Sequence, residues 1–271
     1  MYSETLRREG GKKVRVNELK RKLAKGEVVC GPFVRIGSPA VMEILGHAGF
    51  DFAIIDLEHG PMSVEKAEDM VRAAVCARIS PIIRVTELNQ PLILRALDTG
   101  ADGVQIPQIN NKEAAQLAAA STRYYPYGDR GVCRCIRAAG YSHIPATDYF
   151  EMANQETLTI VHIEGIDGVK QIDKILEVPN IDVIFLGPYD LSQSVGCPGK
   201  VNDPKVVGAM EEIIRKTREA GKYAGTYADN VEAIKHWTEC GVQYVASYID
   251  TLLLYEAARD LAAKVISAAR G

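Results

Sequence analysis

Eight short, β-branched apolar runs recur along the chain with helical segments between most of them, and this alternation restricts the fold more than any other feature. The runs are VVCGPFV (28–34), FAIID (52–56), PIIRV (81–85), GVQIP (103–107), LTIVHIE (158–164), DVIFLG (182–187), YAGTY (223–227) and QYVAS (243–247). VEKAEDMVRAAVCA, NKEAAQLAAAS, KVVGAMEEIIRKTREAG and NVEAIKHWTECG carry the 3.6-residue apolar spacing of helices. Ser63 and Asn111 are expected helix caps, and Gly221 and Gly241 sit where helices should stop. Strands alternating with helices imply a parallel sheet joined by crossovers. Nearly continuous apolar strands fit a sheet covered on both faces. Eight such units within about 245 residues match a (β/α)8 TIM barrel better than an open sheet. No shift in composition marks a second domain. The expected organisation is a basic N-terminal arm and helix over 1–25 and a single barrel over 26–271.

The arm holds nine Lys or Arg within 25 residues. It reads as a frayed terminus leading into an amphipathic helix, NELKRKLAKG, with Leu19 and Leu23 four apart and a solvated face. A net charge of −3 argues against a nucleic-acid partner bound by bulk electrostatics. No apolar run reaches membrane-spanning length, and the N-terminus lacks the apolar core of a signal peptide, so a cytoplasmic location is expected. Six scattered cysteines, with no CxxC pair, suggest neither a disulfide framework nor zinc. The CxC at Cys133 and Cys135 is expected to be structural or incidental. One long interruption, 122–157, breaks the alternation; connections of that length in a compact barrel are usually functional.

Barrel active sites form at the C-terminal ends of the strands, and the chemistry-capable residues cluster there. Strand two ends in Asp56-Leu57-Glu58-His59, strand three carries Arg84, strand five ends with His162 and Glu164, and strand six runs into Gly187-Pro188-Tyr189-Asp190. Each has a bland reading alone: Glu164 or Asp190 as a helix cap, Arg84 as a buried ion-pair partner, His59 as an exposed loop residue. His47, His143 and His236 stand in helical or loop contexts and read as structural. Co-location lifts the first group. Two carboxylates from different strands with no nearby cysteine suit a hard divalent cation, and Mg2+ characteristically takes one or two carboxylates beside substrate oxygens. A cation beside an arginine favours developing negative charge on oxygen, as in an enolate. Asp56, three residues before His59, is placed to orient and charge the imidazole as a general base.

These motifs resemble the HpcH/HpaI aldolase family, metal-dependent class II pyruvate aldolases on a phosphoenolpyruvate/pyruvate-type barrel. The resemblance covers about residues 28–265 and rests on AGFDFAIIDLEHGP, IIRV, LDTGADGVQIPQINNKEAA, RYYPYGDRGV, VHIEGIDGV and DVIFLGPYDLSQSVGCPG in series. It implies that Glu164 and Asp190 are the metal ligands and that Arg84 neutralises the enolate oxygen of pyruvate. It implies His59 and Asp56 as the acid–base dyad, and the backbone amides at Gly187 and Tyr189 as receivers of the 2-oxo acid carboxylate. Phe33 stands where relatives carry Trp near the pocket. The resemblance also implies a homohexamer, a trimer of dimers exchanging the last helix; the amphipathic 250–270 segment permits this. His162 replaces a frequent Gln, Tyr189 a small residue, and RGVCRC departs from a following glycine, all bearing on the carbon-acceptor side. His162 is open between hydrogen-bonding a substrate or water and joining a softer metal's ligands.

The expected function is therefore cleavage or formation of a 4-hydroxy-2-oxo acid, giving pyruvate and an aldehyde, with Mg2+, or else Mn2+ or Co2+. Rival readings are oxaloacetate decarboxylation or a citramalyl- or malyl-CoA-type lyase, for which Arg130, Arg134 and Arg137 would supply a basic track at the mouth. A non-catalytic assembly subunit is a third, disfavoured because Asp56, His59, Arg84, Glu164 and Asp190 are all present.

Overall fold

In the computed structural model, which describes residues 6–9 and 12–270, the eight apolar runs pair in sequence order and close on themselves. A short antiparallel hairpin, β1 (Leu6–Glu9) and β2 (Lys12–Arg15), precedes helix α1 (Glu18–Ala24). The barrel strands are β3 (Val29–Val34), β4 (Phe52–Asp56), β5 (Ser80–Arg84), β6 (Gly103–Ile106), β7 (Leu158–Ile163), β8 (Val183–Leu186), β9 (Tyr223–Ala228) and β10 (Val242–Ile249). All eight pair in parallel, and β10 returns to β3. This is the (β/α)8 architecture that the alternation implies.

The helices between the strands are α2 (Pro39–His47), α3 (Val64–Ala77), α4 (Gln90–Asp98), α5 (Lys112–Thr122), α6 (Ala146–Glu156), α7 (Ile166–Lys170), α8 (Ile172–Leu176), α9 (Pro188–Ser194), α10 (Pro204–Glu219) and α11 (Val231–Glu239). Helix α12 (Asp250–Arg270) ends the chain. The expected caps form: Ser63 Oγ accepts from the Lys66 amide at 3.2 Å and Asn111 Oδ1 from the Ala114 amide at 2.8 Å. Gly221 and Gly241 take left-handed φ of 73° and 106° just past their helices, which a Cβ would disfavour.

Alternate residues of a strand face opposite sides, so the barrel has two cores. The outward residues pack under the helices around Ile55, Ile83, Val104, Val161 and Ile184. The inward residues Phe52, Ile54, Ile82, Leu158, Ile160, Val183 and Phe185 fill the interior. Tyr244 stacks on Phe52 there, centroids 4.2 Å apart. Gly31 makes the room, because a Cβ at that position would stand 2.1 Å from the Phe52 carbonyl oxygen.

Helix α1 closes the lower end. Leu19 and Leu23, each 1% exposed, belong to the interior core, so the apolar face of the expected surface helix is a plug. Asn17 Nδ2 donates to the carbonyls of Asp102 and Glu156, and Lys20 pairs with Asp182 at 2.9 Å. The expected fraying of the first residues falls in 1–5, outside the described residues.

The 122–157 segment follows a helix and precedes a strand, so it lies at this same N-terminal end. Its side chains Tyr124, Tyr149 and Met152 build a small core of their own. Arg123 is buried on Asp182 and Thr159, Arg130 on Asp98 at 2.8 Å, and Arg137 on the Thr99 carbonyl. These arginines are committed to the barrel's lower end, so the basic track expected of Arg130, Arg134 and Arg137 at the mouth does not form there in this chain. Cys133 and Cys135 are exposed and free.

Candidate active site

The inward face of each strand turns from apolar to polar as it climbs. In β7 the inward series is Leu158, Ile160, His162, with Glu164 just past the strand end; in β4 it is Phe52, Ile54, Asp56; in β5, Ile82 then Arg84; in β6, Gly103 then Gln105. The period of two that fills the lower barrel with hydrocarbon therefore lifts the polar groups to the C-terminal mouth. A cavity of about 460 Å³ opens there, lined by Phe33, Arg35, His59, Arg84, His162, Glu164, Phe185, Gly187, Tyr189, Asp190, Tyr227 and Asp229, among others. Every site residue expected from the sequence lines it except Asp56, which lies directly beneath.

Asp56 is fully buried and saturated. Its Oδ1 accepts from Arg84 Nε at 2.8 Å and from the amides of Glu58 and His59 at 3.1 and 3.3 Å. Its Oδ2 accepts from Arg84 Nη2 at 2.7 Å and Arg35 Nε at 2.9 Å. Burial would raise its pKa, but the two guanidinium groups outweigh burial and hold the carboxyl below its ordinary range. Five donors leave no lone pair for an imidazole. The expected Asp56–His59 side-chain dyad is thus corrected: Asp56 anchors His59 through its backbone amide. The His59 ring, 53% exposed, has Glu58 Oε2 at 3.7 Å from Nε2, within ion-pair reach but long for a hydrogen bond.

Glu58, which the sequence reading left without a role, also pairs with Arg84 Nη1 at 3.0 Å. Burial pushes its carboxyl above the ordinary range, reinforced by Glu164 and opposed by Arg84, His162 and His59. Arg84 therefore spends one edge on Asp56 and a further nitrogen on Glu58, with its Cζ 4.5 Å over the Phe33 ring. The guanidinium is fixed in plane at the cavity wall.

Glu164 is 8% exposed. Oε1 accepts from the Gln108 amide at 2.8 Å, and Oε2 meets His162 Nδ1 at 3.0 Å. Burial again opposes ionisation, yet the His162 contact, the Gln108 amide and Arg84 together hold the carboxyl below its usual range. A Cβ at Gly187 would stand 2.8 Å from Glu164 Oε2, so the glycine lets the β8–α9 turn fold against the carboxylate. Asp190 stands exposed in the first turn of α9. The cavity is lined by the carboxylates Glu164, Asp190 and Asp229 and by no thiol, and the oxygen donors of Glu164 and Asp190 fit a hard divalent cation.

His162 is 1% exposed and stacks on Phe185 at 4.6 Å. Gln105 Nε2 approaches its Nε2 at 2.5 Å while Glu164 takes Nδ1. Both ring nitrogens are occupied by protein, and neither sequence-based role for His162 matches this geometry. It orients Glu164, and Gln105 orients it. Gln105 was signalled only as the single polar residue in the strand GVQIP. Groups that orient a metal-binding side chain are worth about 10–100-fold in metal affinity or activity. If Glu164 holds a divalent cation, Gln105→Leu is expected to weaken its binding about 10–100-fold with the barrel intact, read by titration calorimetry.

On the opposite wall, the Tyr189 hydroxyl donates to Asp229 at 3.1 Å, and the Tyr227 ring stands 6.3 Å from Tyr189. Burial and Asp229 push the Tyr227 hydroxyl up to about 12, so it remains a proton donor at neutral pH. Asp250 accepts the amides of Arg35 and Ile36 at 3.0 and 2.8 Å, which fixes the start of α12 beside the mouth, where Leu252 joins the lining.

A closed β/α barrel with fixed carboxylates and a fixed guanidinium around one mouth is an enzyme's architecture. The HpcH/HpaI aldolase/citrate lyase profile matches residues 29–257. The 2-keto-3-deoxy-L-rhamnonate aldolase of Escherichia coli (strain K12) is 35% identical over 242 residues, 89% of this chain and 90% of that protein. The hydroxypyruvate/pyruvate aldolase of Paraburkholderia phytofirmans is 34% identical over 93% of this chain and 98% of that one. A solved HpcH/HpaI aldolase/citrate lyase family protein from Burkholderia cenocepacia J2315 superimposes with a TM-score of 0.87 at 32% identity, covering 92% and 99% of the two chains. The chain belongs to the HpcH/HpaI aldolase/citrate lyase family, and it is a carbon–carbon lyase of the aldolase kind.

Proposed function

We propose that this enzyme cleaves, or forms, a 4-hydroxy-2-oxo acid, giving pyruvate and an aldehyde through an enolate. The observation that carries the reading is the buried, ionised Glu164 carboxylate sharing one cavity with the fixed Arg84 guanidinium and with Asp190. Glu164 and Asp190 would hold a divalent cation, with Mg2+ favoured by the oxygen donors and Mn2+ or Co2+ as alternatives. Such a cation supplies positive charge to the developing enolate oxygen.

The chain's own groups do the rest. The backbone amides at Gly187 and Tyr189, where β8 turns into α9, receive the carboxylate of the oxo acid; Tyr189 is in the first turn, whose amides lack intrahelical partners. Arg84 presents to the enolate oxygen the N–H groups of Nη1 and Nη2 that Asp56 and Glu58 leave over. His59 accepts the 4-hydroxyl proton; the C3–C4 electrons then pass toward the C2 oxygen as the aldehyde leaves, and protonation at C3 yields pyruvate. Phe33, Tyr227 and Phe185 exclude water from one side of the cavity, and Tyr189 with Asp229 faces the leaving aldehyde.

The test is pyruvate consumption with a panel of aldehydes, using enzyme stripped by EDTA and then reloaded with Mg2+, Mn2+ or Co2+. The reading expects activity that falls on stripping and returns on reloading. Activity that survives extended dialysis against EDTA contradicts the metal assignment.

Helix α12 leaves Leu254, Tyr255, Leu261 and Val265 at least 57% exposed. A continuous apolar face of this kind favours burial against another chain. We propose a homo-oligomer, the hexamer of the resemblance, in which this helix is covered by a second copy; the mass in solution tests it.

A further inference from the structure

On the outer layer of the barrel, away from the mouth, three ligand-type side chains from neighbouring elements point at one spot. His236 and Cys240 lie four residues apart, at the end of α11, where that spacing places them on one face. Glu211 comes from the adjacent α10. Glu211 Oε1 lies 3.7 Å from His236 Nε2, Cys240 Sγ lies 4.0 Å from the same nitrogen, and all three donor atoms fall within 4.8 Å of one another. Among the described residues no other group of three His, Cys, Asp or Glu donors converges in this way.

We propose that Glu211, His236 and Cys240 form a second metal site, selective for a borderline transition-metal ion such as Zn2+ or Co2+. Tetrahedral zinc with nitrogen, sulfur and oxygen ligands holds its donors about 3.3–3.8 Å apart, given bonds of about 2.0–2.3 Å. The observed separations need only small side-chain rotations to reach that. The framework beneath is fixed: Met210, Ile213 and Ile214 of α10 and Trp237 of α11 are buried in the layer under the helices. Glu211 and His236 are exposed and Cys240 is partly so, so an ion can enter and water can take a fourth position.

The chemistry separates this site from the mouth. A thiolate and an imidazole select zinc or cobalt over magnesium, whereas the Glu164 and Asp190 carboxylates at the mouth suit a hard ion. On binding, Cys240 gives up its thiol proton to solvent and His236 binds as the neutral imidazole. A residue that reads as structural in the sequence is thereby placed in a ligand set. The inference does not depend on the proposed aldol reaction.

The test is Co2+ added to the metal-stripped full-length protein under reducing conditions, with near-ultraviolet thiolate-to-cobalt charge-transfer absorption as the readout. No cysteine lines the mouth, so Co2+ held there gives no such band. The expected result is a saturable band in the wild type, lost in both Cys240→Ser and His236→Ala, with aldolase turnover unchanged in each. The other five cysteines remain in Cys240→Ser. A band that persists in that variant, or no band in the wild type, overturns the proposal.

Discussion

His59→Ala is expected to lower turnover about 10²–10⁴-fold, the range for loss of a positioned general base, while divalent-cation binding stays near the wild-type level. The imidazole is exposed at the lip of the cavity, and its ion-pair partner is Glu58 rather than either of the proposed cation ligands. A rival for the proton lies beside it. Glu58 is pushed toward the neutral form by burial, and its carboxylate is 3.7 Å from His59 Nε2. Glu58→Gln separates the two roles. If His59 is the base, that variant keeps substantial turnover, because Glu58 only positions the ring and Arg84. If His59→Ala retains wild-type turnover and Glu58→Gln does not, the base has been assigned to the wrong residue. Steady-state rates on a productive aldehyde, with calorimetry for the cation, give both readings.

Arg84→Lys is expected to cost about 10²–10³-fold in turnover, the usual loss when one donor to a developing oxyanion is removed. Lysine keeps the charge and loses the planar fork. Arg84 makes two bonds to Asp56 and a third contact to Glu58, so a single ammonium cannot replace it. Arg84→Leu is expected to do more. It leaves the buried Asp56 with Arg35 as its cationic partner and the half-buried Glu58 with His59 alone, and breaking a buried ion pair on one side costs about 3–5 kcal/mol. Denaturant unfolding should show a marked stability loss for leucine and a smaller one for lysine, while turnover falls in both. Wild-type turnover in Arg84→Lys would remove the guanidinium from the mechanism.

The fold was legible because its determinants are local. β-branched runs bounded by turn signals mark all eight strands to within a residue or two, and FAIID coincides with β4. Ser63 and Asn111 cap their helices within three residues of chain. The site was legible as a rim, since residues at strand ends must gather at one mouth once the strands are parallel. What escaped were pairings across long sequence separations. Arg35 and Arg84 reach Asp56 from 21 and 28 residues away, and they occupy the carboxylate that the Asp56–His59 spacing had offered to the imidazole. Gln105 meets His162 across 57 residues, so only its polarity within an apolar strand could have drawn attention. Leu19 and Leu23 show helix periodicity, but nothing local says that the face they share plugs a barrel. The 122–157 segment was long enough to suggest a role at the mouth, yet its place between a helix and the next strand sends it to the other end.

The most direct measurement is exchange of the pyruvate methyl protons for deuterium, followed by NMR with enzyme, divalent cation and pyruvate in D2O and no aldehyde. The proposed enolate, held by Glu164, Asp190 and Arg84, would bring this exchange about whatever the natural aldehyde is. The account predicts cation-dependent exchange by the wild type that is lost after EDTA stripping and in Glu164→Gln. Exchange that continues unchanged in Glu164→Gln, or no exchange by the wild type with any of Mg2+, Mn2+ or Co2+, would contradict it.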